Sequence, residues 1–293
     1  LKLGLGTVQF GLDYGLSNVS GRTQPNEVQL ILKTALENDI RVLDTAAQYG
    51  SSEEVIGMTL NGQDNFQIVT KTPIFRKNSI QEEDGLALRK VFMASLQKLK
   101  QTKVYGLLVH HANDLLASRG ETLWAVMQDL KNCGLIQKIG VSVYEGEQID
   151  ALVKRFRMDM IQVPINILDQ RLWKSGRLRR LKEAGVEVHA RSVFMQGLLL
   201  MDPEKLEPYF SPIKSHLVKL GEYLSSRNVT PQQAALGFVR KLKEIDVILV
   251  GVNNQQQLMQ LCSEPSSPLE TEELLTFSIE DPALLNPSAW RLK

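Results

Sequence analysis

Four residues of unlike chemistry follow one another along this chain: Asp44, Tyr49, Lys71 and His110. Brought together, they would deliver a proton to a carbonyl oxygen. A phenol has an ordinary pKa of about 10 and is a poor acid at neutral pH. A cation such as Lys71 stabilises the phenolate and lowers that value. Asp44 would hold the ammonium in place and keep it charged. His110 would hydrogen-bond and orient the carbonyl oxygen and share the proton load with Tyr49. The hydride that completes a reduction must come from a cofactor, because no side chain supplies one.

Each residue also has a plainer role: Tyr49 at a rim, Asp44 as a turn or helix cap, Lys71 at an exposed strand end, His110 in a core. The case rests on the four occurring together. A metal site at His110-His111 is not expected, since successive strand residues point to opposite faces. Cys133 and Cys262 lack both metal-ligand spacing and a disulfide framework.

The elements that must position these residues alternate along the chain. Short β-rich runs cover residues 3–8, 41–44, 66–71, 104–110, 136–141, 160–163, 186–190 and 247–250. Amphipathic stretches lie between them. Residues 25–37 carry Val28, Ile31, Leu32 and Ala35 at helical spacing. Ser51 or Ser52 is placed to cap the helix that follows, and Gly134 to end the helix near 123–132. Eight strand–helix units predict an α/β fold, a (β/α)8 TIM barrel, since eight parallel strands close a barrel. An open doubly wound sheet would carry Gly-x-Gly-x-x-Gly after its first strand, a spacing that Gly4, Gly6 and Gly11 lack. Residues 204–224 add a loop and helix before a helix at 231–241. No Gly/Ser- or Pro-type linker divides the chain, so residues 1–293 read as one domain with a C-terminal tail from about 266. In such a barrel reactive side chains sit at the C-terminal ends of strands. Asp44, Lys71 and His110 end three neighbouring runs, and Tyr49 follows the second.

Composition fits this reading. The 293 residues are 43% hydrophobic and 23% charged, the balance of a chain with a full core. A formal net charge of +1 gives no global field to recruit nucleic acid or an anionic membrane. No apolar run is long enough to span a bilayer. The chain starts Leu1-Lys2-Leu3-Gly4, without the apolar core of a signal peptide. A cytoplasmic protein is the expectation. Nothing in the sequence sets the oligomeric state.

The sequence resembles the aldo-keto reductases. The matching stretches, in family order over about residues 3–261, are Gly6-Thr7, Leu43-Asp44-Thr45-Ala46 with Tyr49-Gly50, Thr70-Lys71, Leu107-Leu108-Val109-His110, Ile139-Gly140-Val141-Ser142, Gln162-Val163-Pro164-Ile165-Asn166 and Gln196-Gly197-Leu198-Leu199. The resemblance implies the barrel, Asp44, Tyr49, Lys71 and His110 as a catalytic tetrad, and NADPH, or else NADH, as cofactor. Gly6 and Thr7 would border it. Ser142 and Gln162 would hydrogen-bond the nicotinamide carboxamide. Ser192, Gln196 and Gly197 after the seventh strand, with Gly251, Asn253 and Gln257 after the eighth, would hold the pyrophosphate and adenosine. Arg191 stands where the family often stacks an aromatic ring on the nicotinamide. Val143 replaces the usual Asn after Ser142, Ala112 a proline, and His111 a tryptophan. No basic residue occurs in 251–257 to meet a 2′-phosphate. Gln9, Phe75 and His111 are expected on the wall of the substrate pocket, with the tail near Trp290 close by.

The leading expectation is an NAD(P)H-dependent enzyme that reduces a small-molecule aldehyde or ketone. Two others stand beside it. One is a non-enzymatic, cofactor-sensing module of a larger assembly. The other is a lyase or isomerase with Lys71 as a Schiff base, disfavoured because a lysine paired to Asp44 stays protonated.

Overall fold

A computed structural model describes residues 2–63 and 65–290, which leaves residues 1, 64 and 291–293 outside the described chain. Aliphatic and β-branched runs form eight strands: β1 (Lys2–Gly6), β2 (Val42–Asp44), β3 (Gln67–Lys71), β4 (Val104–Val109), β5 (Ile136–Ser142), β6 (Met160–Pro164), β7 (Glu187–Arg191) and β8 (Val247–Gly251). Each pairs in parallel with the next, and β8 returns to β1, closing the barrel.

The strands are apolar on both faces because both faces are covered. Leu43, Ile68, Leu107, Ile139, Ile161, Val188 and Ile248 join the core beneath the helices. Val42, Val69, Leu108, Met160, Val247 and Leu249 form a separate apolar cluster inside the barrel. Gly106 leaves room for it, since a β-carbon there would lie 2.7 Å from Met160 Sδ. Side chains in a strand alternate with period two. Two residues beyond Val42, Val69, Leu108 and Met160 stand Asp44, Lys71, His110 and Gln162. The rule that fills the barrel with methyl groups therefore also crowns it with these four polar side chains.

The boundaries differ from the sequence reading where side chains outside the strands intervene. β1 ends at Gly6, because Thr7 turns to hydrogen-bond Asp44 O through its N–H (2.9 Å) and its hydroxyl (3.0 Å). The helix Glu82–Leu99 opens on a capping box formed by Gln81 and Asp84. Neither Ser51 nor Ser52 caps the helix Ser52–Leu60 with its side chain. Ser52 is buried, and its hydroxyl donates to Thr7 O at 2.8 Å and also bonds the hydroxyls of Thr7 and Thr45. Gly134 does follow the helix Glu121–Asn132, at φ +75°.

After β7, short turns lead to the helix Ser211–Ser226, and Pro231–Arg240 precedes β8. The tail packs beside the first of these helices. Tyr223 donates to Glu273 at 2.9 Å, and the Phe210 and Trp290 rings meet edge to face at 5.0 Å. Among the described residues, no helix is long and apolar enough to cross a membrane.

Candidate active site

Lys71 Nζ donates to Asp44 Oδ2 at 2.7 Å and to Thr45 O at 2.8 Å. The other carboxylate oxygen of Asp44 accepts from Gln162 Nε2 of β6, across the barrel, at 2.7 Å. All three side chains are buried. Tyr49 rides on the turn after β2. Gly11 lets this turn pack on the first loop, for a β-carbon there would lie 1.8 Å from Tyr49 O. The Tyr49 ring meets His110 edge-on, with centroids 5.8 Å apart and planes at 81°. Lys71 Nζ lies 4.9 Å from the centroid of the same phenol. The expected tetrad is therefore one cluster at the C-terminal mouth, where barrels place reactive groups.

Its electrostatics refine the sequence argument. Burial raises the Tyr49 phenol well above its ordinary 10, and the negative charge of Asp44 adds to this; Arg191 opposes it. The phenol is thus held protonated, rather than made acidic by Lys71. Burial lowers the Lys71 ammonium, while the charge and hydrogen bond of Asp44 work to keep its proton. His110 is pushed down to about 3 by burial first, then by Lys71, Arg191 and His111. It is a neutral imidazole, suited to orienting an oxygen by a hydrogen bond and not to donating a proton as imidazolium.

A cleft of about 370 Å³ runs from this cluster along the mouth. Gly6 and Thr7 border it after β1, Ser142 and Gln162 at the ends of β5 and β6, and Arg191, Ser192, Gln196 and Gly197 at and after β7. Gly251, Asn253 and Gln257 border it at and after β8. The eleven residues expected around a cofactor thus share one groove with the tetrad. Gln162 is already committed to Asp44. Arg191 lies 4.0 Å over the Tyr144 ring centroid and donates to Val143 O at 2.9 Å. The β7 loop is strained: Ser192, Met195 and Gln196 all have positive φ. The loop after β1 reaches over to it, with Leu16 N–H donating to Gln196 O at 2.8 Å. Gly197 is required there, because at φ +93° its β-carbon would sit 2.0 Å from Ser17 Oγ.

Of the expected wall residues, Gln9 borders the cleft, while Phe75 and His111 do not. His111 follows His110 and so turns away; its Nδ1 lies 3.3 Å from Asp114 Oδ1. That same carboxylate accepts the N–H groups of Phe75 and Arg76, drawing the segment off the mouth. Among the described residues, none beyond Leu261 lines the cleft, so the described tail up to Trp290 does not shape it. Sequence reasoning missed Tyr14 and Tyr144, which both do. Tyr144 carried a signal, an aromatic two places past a strand-end serine. Gln232 and Gln260 carried none.

A model of the Aldo/keto reductase family matches residues 2–277. The chain is 29% identical over 181 residues to the aldo-keto reductase YhdN of Bacillus subtilis (strain 168), an alignment covering 59% of this chain and 53% of that protein. It is 28% identical over 192 residues to the NADH-specific methylglyoxal reductase of Escherichia coli (strain K12), covering 58% of each. These matches span a little over half the length of each relative. In fold, the chain is similar to aldo-keto reductase AKR11C1 from Bacillus halodurans, holo form, with TM-score 0.75 and 20% identity over 99% of this chain and 95% of that one. The glycerol dehydrogenase AKR11B4 from Gluconobacter oxydans gives TM-score 0.72 and 21% identity over 94% and 89%. With the family model running from the first strand into the tail, this chain belongs to the aldo/keto reductase family.

Proposed function

We propose that this protein reduces a small aldehyde or ketone to an alcohol with a nicotinamide dinucleotide, and that Tyr49 gives the proton. The observation that carries the reading is the buried Lys71–Asp44 pair against Tyr49 and His110, at one end of a long polar groove. The groove suits a dinucleotide. Gly6 and Gly251 bring bare backbone to its floor, and the Nδ1 atom of His110 and the Oε1 atom of Gln9 are buried with no partner in the protein. Such atoms cost about 1–3 kcal/mol each and point to a ligand. Ser142, the β7 loop and residues 251–257 would hold the dinucleotide, which when bound supplies hydride.

The chain's own residues then manage the oxygen. His110, neutral, orients the carbonyl by a hydrogen bond. Tyr49 O–H passes its proton to that oxygen as negative charge builds there. An alkoxide is a far stronger base than a phenolate, so the transfer runs downhill even from a phenol made less acidic by burial. Lys71 and Arg191 temper the phenolate that remains until it regains a proton. The name of the Escherichia coli relative supports a small reactive carbonyl as substrate.

The test is oxidation of NADH and NADPH with a panel of reactive aldehydes, wild type beside Tyr49→Phe. Turnover that falls about 10²–10⁴-fold in the variant, with cofactor affinity kept, is expected. Turnover unchanged in Tyr49→Phe refutes the role of Tyr49, and failure of both cofactors to bind refutes the reductase reading.

A further inference from the structure

The geometry points to NADH, with a free 2′-hydroxyl on its adenosine ribose, as the cofactor preferred over NADPH; this rests on the reductase reading above. The reacting groups, Tyr49 and His110, occupy one end of the groove. A dinucleotide that presents its nicotinamide to them lays its adenosine at the other end, among Asn253, Gln257, Gln260 and Gln232. A second cleft of about 400 Å³ shares Gln232 and Gln260 and continues the groove to Glu264.

NADPH differs from NADH by one phosphate, which carries close to two negative charges at neutral pH. Such a group needs cations or free N–H donors. Among the described residues lining the two clefts, the lysines and arginines are Lys71 and Arg191. Both are at the chemical end, bound to Asp44 and to Val143 O. The neighbouring Arg240 donates to Glu264 O at 3.4 Å and lines neither cleft.

The helix Gln255–Ser263 starts at the far end, and a helix start ordinarily offers N–H groups to an anion. Here the N–H groups of Gln255 and Gln257 are taken, as is that of Asn253 just before the helix. Gln255 N–H donates to the Glu27 carboxylate, Gln257 N–H to Asn254 Oδ1 at 2.9 Å, and Asn253 N–H to Gln257 Oε1 at 2.8 Å. Glu27 lines neither cleft itself, but its carboxylate occupies the first N–H of the helix, the donor a phosphate would seek, and sets a negative charge beside it. Glu264, hydrogen-bonded by Gln232, puts another at the end of the groove. Amides and carboxylates suit a hydroxyl, whereas a phosphate dianion meets repulsion and, among the described residues lining the two clefts, no free cation. Glu27 is thereby assigned as a specificity-determining residue.

Isothermal titration of the purified protein with NADH and with NADPH tests this without turnover. The Kd for NADH should be lower by about tenfold or more, the scale of one missing charge-assisted contact. Glu27→Gln should narrow the gap severalfold, and Gln257→Arg should move preference toward NADPH. NADPH binding as tightly as NADH to the wild type overturns the inference. If NADPH binds more tightly and Tyr49→Phe still abolishes turnover, this inference alone fails. If neither binds, the reductase reading falls with it.

Discussion

Acid should weaken this protein through His110, by an amount that follows from where the ring sits. An unfolded histidine takes up a proton near 6.5, whereas the folded His110 refuses one until about pH 3. Burial is the main reason, and the charges of Lys71 and Arg191 reinforce it. Below 6.5 the unfolded chain therefore binds more protons than the folded one, and stability declines as pH falls toward the folded pKa. Each pH step in that window costs about 1.4 kcal/mol. At pH 5 the loss attributable to His110 is about 2 kcal/mol. Urea unfolding of wild type and His110→Asn at pH 8 and pH 5 measures it. The variant keeps the other histidines and drops this titration, so wild type should lose about 2 kcal/mol more than the variant between the two pH values. Equal losses would mean that the imidazole is solvated and charged in acid. The account of His110 as a neutral orienting group would then be wrong. The same reasoning predicts no limb near 6.5 in the pH profile of kcat/KM.

Two further substitutions probe the site's supports. Lys71→Met leaves the Asp44 carboxylate buried without its cation and should cost about 3–5 kcal/mol in urea unfolding. Adding Asp44→Asn should recover part of this, and a single-variant loss under about 1 kcal/mol would contradict a buried ion pair. Gly197→Ala should cost about 1–3 kcal/mol, because it strains a positive φ and strikes Ser17. Adding Ser17→Gly removes the collision but not the strain, so calorimetry should show a partial rescue; no loss in the single variant would refute the described contact of the two loops.

Much of the barrel was legible because strands buried on both faces write themselves as short apolar runs; Asp44 and Lys71 end two of them and His110 directly follows a third. The same alternation that turns His110 inward also turns His111 outward. That signal was in the sequence, and expecting His111 on the wall overlooked it. Phe75 is held away by Asp114, a partner 39 positions along, which no local pattern shows. Ser52 reads as a helix cap because hydroxyls at helix starts usually are, yet burial beside Thr7 and Thr45 offers it stronger partners. The inversion of the Tyr49 argument has a similar cause. A sequence shows which charges are near a phenol, but not how much water has been removed from around it.

The two oxygens of Asp44 look in different directions. One holds Lys71, beside Tyr49, and the other holds the Gln162 amide on the wall of the groove, 118 positions away in the chain. The carboxylate thus links the half of the barrel proposed to move protons with the half proposed to grip a dinucleotide. A ligand that draws the Gln162 amide to itself takes one donor from Asp44 and leaves Lys71 to balance more of its charge. The readiness of the acid then depends on what lies in the groove, and the order of loading becomes a property of one side chain.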